Sequence, residues 1–259
     1  MRVYSAFDGM SCGQVALERA NIPIKTYLAS EIDKYAIAVA QYNYPYTIQM
    51  GDINRIYPKT FPKIDLLIGG SPCQDLSFAG YQKGLVEGTR SNLFFEYVRI
   101  LKELREINPD VKFLLENVRM KQEYQDIISD LLGVQPIMIP SSLVSAQKRD
   151  RWYWTNIPFE MPKDKNIYLK DIVEDGVVDR DKSFCIDANY WKGGNLRSYF
   201  VKHRRQLVFD DHRCIQVGIA DVNGHDVLKR VYSREGKSPT LNSMNGGNRE
   251  PKVICGQMI

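Results

Sequence analysis

From Arg2 to about Pro158, short apolar runs alternate with amphipathic stretches, a pattern that predicts successive βαβ units and a parallel sheet. Val3 to Phe7 reads as the first strand and Gly13 to Ala20 as the helix after it. Thr26 to Ser30 is a second strand, Asp33 to Tyr42 a helix, and Thr47 to Met50 a short third strand. The fourth, Ile64 to Ile68, is β-branched and leucine-rich and stops at Gly69-Gly70, as a central strand of a parallel sheet does. After a long glycine-bearing segment, Leu76 to Asn92, come a helix from Asn92 to Glu106, a strand from Val111 to Leu115, a helix near Tyr124 to Leu132 and a strand near Val134 to Ile139. Trp152-Tyr153-Trp154 reads as a strand returning to the core. Beyond Pro158 the regularity fades into short pieces mixing Gly, Asn, basic and aromatic residues, which predicts two domains, 1–158 and 159–259.

Composition narrows the class. A chain of 259 residues can bury one full α/β core and carry a smaller appended domain. A net charge of +4 permits a nucleic-acid partner without requiring one. The five cysteines are scattered, with no CxxC pair, which favours a reducing compartment over a disulfide framework. The amino terminus meets Asp8 too soon for a secretory signal, and no apolar run of about eighteen residues occurs, so the expectation is a cytoplasmic protein without a membrane anchor.

Candidate chemistry sits where the predicted strands end. Phe7-Asp8-Gly9-Met10-Ser11-Cys12-Gly13 joins the first strand to the first helix, where a glycine turn brings backbone amides close to a nucleotide-like ligand; only Gly9 and Gly13 are glycine, so it is not a GxGxxG. Glu31 follows the second strand at the distance where nucleotide-binding folds place an acid for ribose hydroxyls. Asp52-Ile53 follows the third strand and offers an acceptor and an apolar flank for a base. Each of these also reads as an ordinary turn. Pro72-Cys73 lies just past the fourth strand, either as a thiol poised for chemistry in a loop of backbone amides or as a buried structural cysteine. Glu116 ends the fifth strand, next to the Cys73 strand in such a sheet, and is either a proton donor or a capping acid. Arg149 and Arg151 in Gln147-Lys148-Arg149-Asp150-Arg151 stand at alternating positions, which places both on one face of a strand, as functional cations or as a solvated edge.

In this order the pieces resemble the DNA cytosine-C5 methyltransferase family over nearly the whole chain. Phe7 to Gly13 looks like its AdoMet motif, Gly70-Ser71-Pro72-Cys73-Gln74 like its Pro-Cys loop, Glu116-Asn117-Val118 like its ENV motif and Gln147 to Arg151 like its QxRxR motif. Asn92 to Phe95 and the segment Arg230 to Leu241 fit further family motifs, and Ser71 to Ser77 with Val144 to Ala146 are also similar to the eukaryotic de novo enzymes. The resemblance implies an α/β fold in which a Rossmann-like AdoMet-dependent sheet carries a smaller irregular target recognition domain. It implies S-adenosyl-L-methionine as cofactor and S-adenosyl-L-homocysteine as product, bound by the Phe7 to Gly13 turn with Glu31, Ile32, Asp52, Ile53, Gly70, Pro72 and Leu93. It further implies that Cys73 attacks cytosine C6, that Glu116 hydrogen-bonds or protonates N3, and that Arg151, with Arg149 in support, contacts O2 or the Cys73 loop. The partner would be double-stranded DNA with the target base flipped out, in a bacterial or phage-infected cell, in restriction-modification or phage self-protection.

The segment from Leu76 to Asn92 would close over that base, and Lys192, Arg197, Lys202, Arg204, Arg205 and Arg213, interleaved with Tyr190, Trp191, Tyr199 and Phe200, would face DNA. The family's helical return segment and final Gly-Asn motif do not follow Leu241 here, so the expectation includes a truncated form, an incomplete cofactor site or a second polypeptide that supplies the missing part. Two alternatives stand beside the leading reading: a partner-dependent DNA-binding subunit, and a tRNA cytosine-C5 methyltransferase.

Overall fold

A computed structural model describes residues 1–72, 92–186, 199, 205–209, 214–236 and 251–254. They fall into two compact units, Met1–Ile139 with Asp150–Met161, and Pro140–Arg149 with Pro162–Ile259.

The first unit is built on a seven-stranded sheet in the order β3-β2-β1-β4-β5-β7-β6. Its strands are β1 (Arg2–Ala6), β2 (Thr26–Ser30), β3 (Ile48–Gln49), β4 (Leu66–Gly69), β5 (Lys112–Asn117), β6 (Ile137–Pro140) and β7 (Asp150–Thr155). β1 pairs in parallel with both β2 and β4, β2 with β3 and β4 with β5, whereas β7 runs antiparallel to β5. The chain order therefore reverses at β1, and the switch point lies between β1 and β4. In open α/β sheets that is where a crevice opens at the carboxyl ends of the strands.

Four helices accompany the sheet: α1 (Cys12–Arg19), α2 (Lys34–Asn43), α3 (Asn92–Ile107) and α4 (Gln122–Leu132). α3 buries Phe94, Tyr97, Val98, Leu101 and Leu104, a helical stripe of period 3.6, with Leu67, Phe113 and Leu115 in the same core. Trp154 on β7 is fully buried there; its indole N–H donates to Ser129 Oγ at 3.0 Å, so its polar atom is satisfied. Gly133 ends α4 in the left-handed region at φ 74°.

The predicted elements recur with shifted ends. β4 starts at Leu66 and runs through Gly69 rather than stopping before it, because Gly69 pairs with Ala6 on one side and Leu115 on the other. Its lack of a side chain is required there: a Cβ would stand 2.8 Å from Ala6 O and 3.0 Å from the Tyr97 ring. β6 begins at Ile137 rather than Val134, just after Pro136, which has no N–H to give a ladder.

The second unit holds a two-stranded antiparallel sheet, β8 (Val177–Val178) with β9 (Val208–Phe209). It also holds a three-stranded sheet of β10 (Gln216–Ile219), β11 (Arg230–Tyr232) and β12 (Lys252–Val253). Lys182 knits it internally, donating to the carbonyls of Ser142 at 2.8 Å, Ser145 at 3.1 Å and Ile167 at 2.6 Å. No helix among the described residues is long and apolar enough to cross a membrane.

Candidate active site

The turn between β1 and α1 is backbone-strained and heavily tied. Phe7, Gly9 and Ser11 all adopt positive φ, at 58°, 58° and 64°. For the two non-glycine residues this costs roughly 1–2 kcal/mol each. Asp8 N–H donates to Ser30 O at 3.0 Å and Gly9 N–H to Glu31 Oε2 at 2.8 Å. The other oxygen of Glu31 accepts from Ile32 N at 2.7 Å and Asp33 N at 2.9 Å. Glu31 thus stands at the end of β2 against the turn.

Asp8, Ser11, Gln14, Tyr27 and Thr47 form a buried polar network beneath that turn. Asp8 is 8% exposed, and its carboxylate accepts from Ser11 Oγ at 2.6 Å and from the Tyr27 hydroxyl at 2.8 Å. Gln14 Nε2 donates to Ser11 Oγ at 2.9 Å and to Thr47 Oγ1 at 2.6 Å. Burial, with the Asp8 charge beside it, pushes the Tyr27 phenol far above the usual tyrosine range. Gly13 lets α1 sit on the sheet, since a Cβ there would collide with the Ile68 side chain and the Tyr27 hydroxyl.

At the ends of β4 and β5 the register sets Gly69 against Leu115, so that Gly70 follows beside Glu116 and Ser71 beside Asn117. A Cβ on Gly70 would stand 3.0 Å from Glu116 Oε2, so the carboxylate tip lies close against the Gly70 backbone. Arg151 Nε lies 2.6 Å from Glu116 Oε1, with the side chains 17% and 34% exposed. That N–H is not aligned on the carboxylate, so the pair is a charge contact rather than a directed hydrogen bond. Asn117 is buried; its Nδ2 donates to Ser71 Oγ at 3.1 Å and its Oδ1 accepts from Val118 N at 2.8 Å. A carboxylate with its own cation therefore lies against Gly70, and the loop leaving β4 is pinned at Ser71.

The other predicted site residues are placed as follows. Pro72 ends the described part of that loop, and Cys73 lies outside the described residues, as does all of Leu76 to Asn92 except the backbone of Asn92. Met10, Cys12 and Ile32 are exposed, Ile32 at 76%. Asp52 caps a short turn through Asn54 N at 3.0 Å, while Ile53 is buried in the core and Leu93 packs half-buried against it. Arg149 and Arg151 do not share a strand face, because β7 begins only at Asp150. Arg149 belongs to the second unit, and its guanidinium donates to Cys185 Sγ at 3.1 Å. Of the basic and aromatic group expected to face DNA, only Tyr199 and Arg205 lie among the described residues, and Arg205 is buried. Gln14, Tyr27 and Thr47 escaped the sequence reading. Their one signal is a polar side chain at a position whose pattern demands an apolar one.

A parallel sheet reversing at β1, an antiparallel β7 and a strained turn at the switch point together define a Rossmann-like methyltransferase fold. Among solved structures, DNMT2 of Spodoptera frugiperda shares that fold, with 21% identity and a TM-score of 0.57 over 73% of this chain and 70% of that one. The methyltransferase EhMeth of Entamoeba histolytica does so with 16% identity and a TM-score of 0.56 over 74% of this chain and 72% of that one. Residues 1–175 match the C-5 cytosine-specific DNA methylase family, and the chain belongs to it. Among curated proteins it is similar to the orphan methyltransferase M.Rho11sI of Bacillus phage rho11s, 27% identical over 98% of this chain and 69% of that protein. It is also similar to the orphan methyltransferase M.SPRI of Bacillus phage SPR, 29% identical over 95% of this chain and 64% of that protein. The chain thus spans about two thirds of the length of these relatives. Membership makes it a DNA cytosine methyltransferase, an enzyme class that uses an AdoMet-type methyl donor.

Proposed function

We propose that this chain methylates C5 of a flipped-out cytosine in DNA through a covalent bond between Cys73 Sγ and C6, with S-adenosyl-L-methionine as donor. The observation that carries the reading is the placement of the Glu116 carboxylate, held by Arg151 and lying against Gly70, three residues before Cys73. Cytosine C5 is a weak nucleophile, and addition of a thiolate at C6 makes the ring electron-rich there. Glu116 hydrogen-bonds or protonates N3, so that the ring accepts the electron pair from sulfur. Arg151 holds Glu116 in place, and Asn117 fixes the start of the Cys73 loop through Ser71. When bound, the donor supplies the electrophilic methyl group that C5 takes. Loss of the C5 proton then expels the Cys73 thiolate and restores the ring.

The crevice residues fit such a donor. Gly9 turns left-handed with no atom within 4 Å of where its Cβ would stand, so the backbone is open to a ligand. Glu31 offers its carboxylate and Ile32 an exposed apolar face beside it, and Gly51, at φ 75°, is equally open next to Asp52. Target recognition falls to the second unit, and the enzyme works in the cytoplasm of a bacterial or phage-infected cell.

Bisulfite sequencing of DNA from cells expressing the chain tests the reading. Protected cytosines in one sequence context, absent with Cys73→Ser, are expected. Unmodified DNA with methylated tRNA cytosine would transfer the reading to RNA. No modification of either, with donor binding that appears only when another polypeptide is added, would favour the partner-dependent subunit.

A further inference from the structure

The donor turn is not held by its own glycines but by side chains that reach it from below. Three positive φ angles in five residues, at Phe7, Gly9 and Ser11, make a conformation that relaxes unless something over-determines it. The Asp8 carboxylate supplies two fixed acceptors, one filled by Ser11 Oγ at 2.6 Å and the other by the Tyr27 hydroxyl at 2.8 Å. Because Ser11 gives its one proton to Asp8, its oxygen accepts from Gln14 Nε2 at 2.9 Å. The same amide also donates to Thr47 Oγ1 at 2.6 Å. Donors and acceptors therefore alternate without conflict from β2 through the turn and α1 to the start of β3. All five residues are less than one tenth exposed.

We propose that Tyr27, Gln14 and Thr47 are positioning residues that set the affinity of the Phe7 to Gly13 turn for the methyl donor while playing no part in methyl transfer. The proposal rests on the reading that this turn binds the donor. Tyr27 acts through Asp8 and Gln14 through Ser11, and Thr47 acts through Gln14, three hydrogen bonds away from Asp8. A cavity of about 450 Å³ is lined by Gln14, Tyr27 and Thr47 together with Glu18, Ile22 and Tyr44.

The test is calorimetric binding of S-adenosyl-L-homocysteine to Tyr27→Phe, Gln14→Met and Thr47→Val. Tyr27→Phe leaves a buried carboxylate oxygen without its donor, so a roughly 10- to 30-fold weaker Kd is expected. Gln14→Met should weaken binding about 5-fold and Thr47→Val about 2- to 3-fold, and the last two should be non-additive because they share one hydrogen bond. kcat at saturating donor should stay within twofold of the parent, a split between KM and kcat that a merely structural role would not give. An unchanged Kd in all three, or kcat falling in step with Kd, overturns the proposal. Thr47→Val, nearly isosteric and at the sheet edge, carries the test if Tyr27→Phe fails to fold. If the parent chain binds no donor, the reading of the turn fails on its own. Amide exchange at Ser11 and Gln14 then decides the positioning claim, which stands if Tyr27→Phe accelerates it and falls if it does not.

Discussion

Arg151→Met removes the cation from Glu116 while keeping most of the apolar stem of the side chain. Unit charges about 4 Å apart attract by about 4 kcal/mol at an effective dielectric of 20. Here Arg151 Nε is 2.6 Å from Glu116 Oε1, the N–H is misaligned, and Glu116 is 34% exposed. Screening of the exposed part removes about half of that attraction and leaves about 2 kcal/mol. If the pairing holds Glu116 where N3 is engaged in the transition state, that is roughly a 30-fold loss in kcat/KM for methyl transfer to duplex DNA. Arg151→Lys keeps a charge but not the guanidinium geometry and should lose about 5-fold. The assay is transfer of labelled methyl to DNA, with donor binding measured in parallel and expected to be unchanged. Methionine at this position within threefold of the parent, or a loss that follows donor affinity instead, would refute the argument that Arg151 works through Glu116.

Gly69→Ala forces a Cβ to 2.8 Å from Ala6 O and should cost about 2 kcal/mol, read as a melting temperature lower by about 4–8 °C in scanning calorimetry. No change would mean that β1 and β4 separate easily at the switch point. Burial holds the Tyr4 hydroxyl up to about 12, against 10 in the unfolded chain, so its contribution is complete below pH 10 and is lost as pH rises to 12, by about 3 kcal/mol. Tyr27 and Tyr97 are shifted in the same direction, also by burial first. An ultraviolet titration should therefore show a group of tyrosines ionising only together with unfolding, and smooth titration of all fifteen in a folded chain would contradict this. Asn117→Ala frees Ser71 from its 3.1 Å bond and should lower methyl transfer about 10-fold with donor binding intact.

Strand identity was legible wherever the core demands it, because runs such as Ile64 to Ile68 and Val111 to Leu115 are apolar for burial on a sheet covered by helices. The ends were not. Gly69-Gly70 reads as a break from composition, yet Gly69 is a strand residue required by the approach of Ala6 and Tyr97 from other elements. The position of Glu116 at a strand end beside the β4 loop followed from strand order alone, and β5 extends through it. Asp8 was read with the donor turn, but its burial depends on Tyr27 from β2, a contact between residues 19 apart that no local pattern encodes. The alternation of Arg149 and Arg151 implied a shared strand face. The strand begins between them, at Asp150, two residues before its pairing with β5 starts at Trp152.

The central claim is that the Cys73 thiolate bonds to cytosine C6, and trapping on duplex DNA carrying 5-fluorocytosine tests it most directly. Fluorine at C5 blocks loss of the proton that would release the enzyme, so a covalent, denaturant-resistant complex should accumulate in the presence of donor and be absent with Cys73→Ser. A chain that methylates cytosine in DNA yet forms no such complex, or a Cys73→Ser variant that still forms it, would contradict the account.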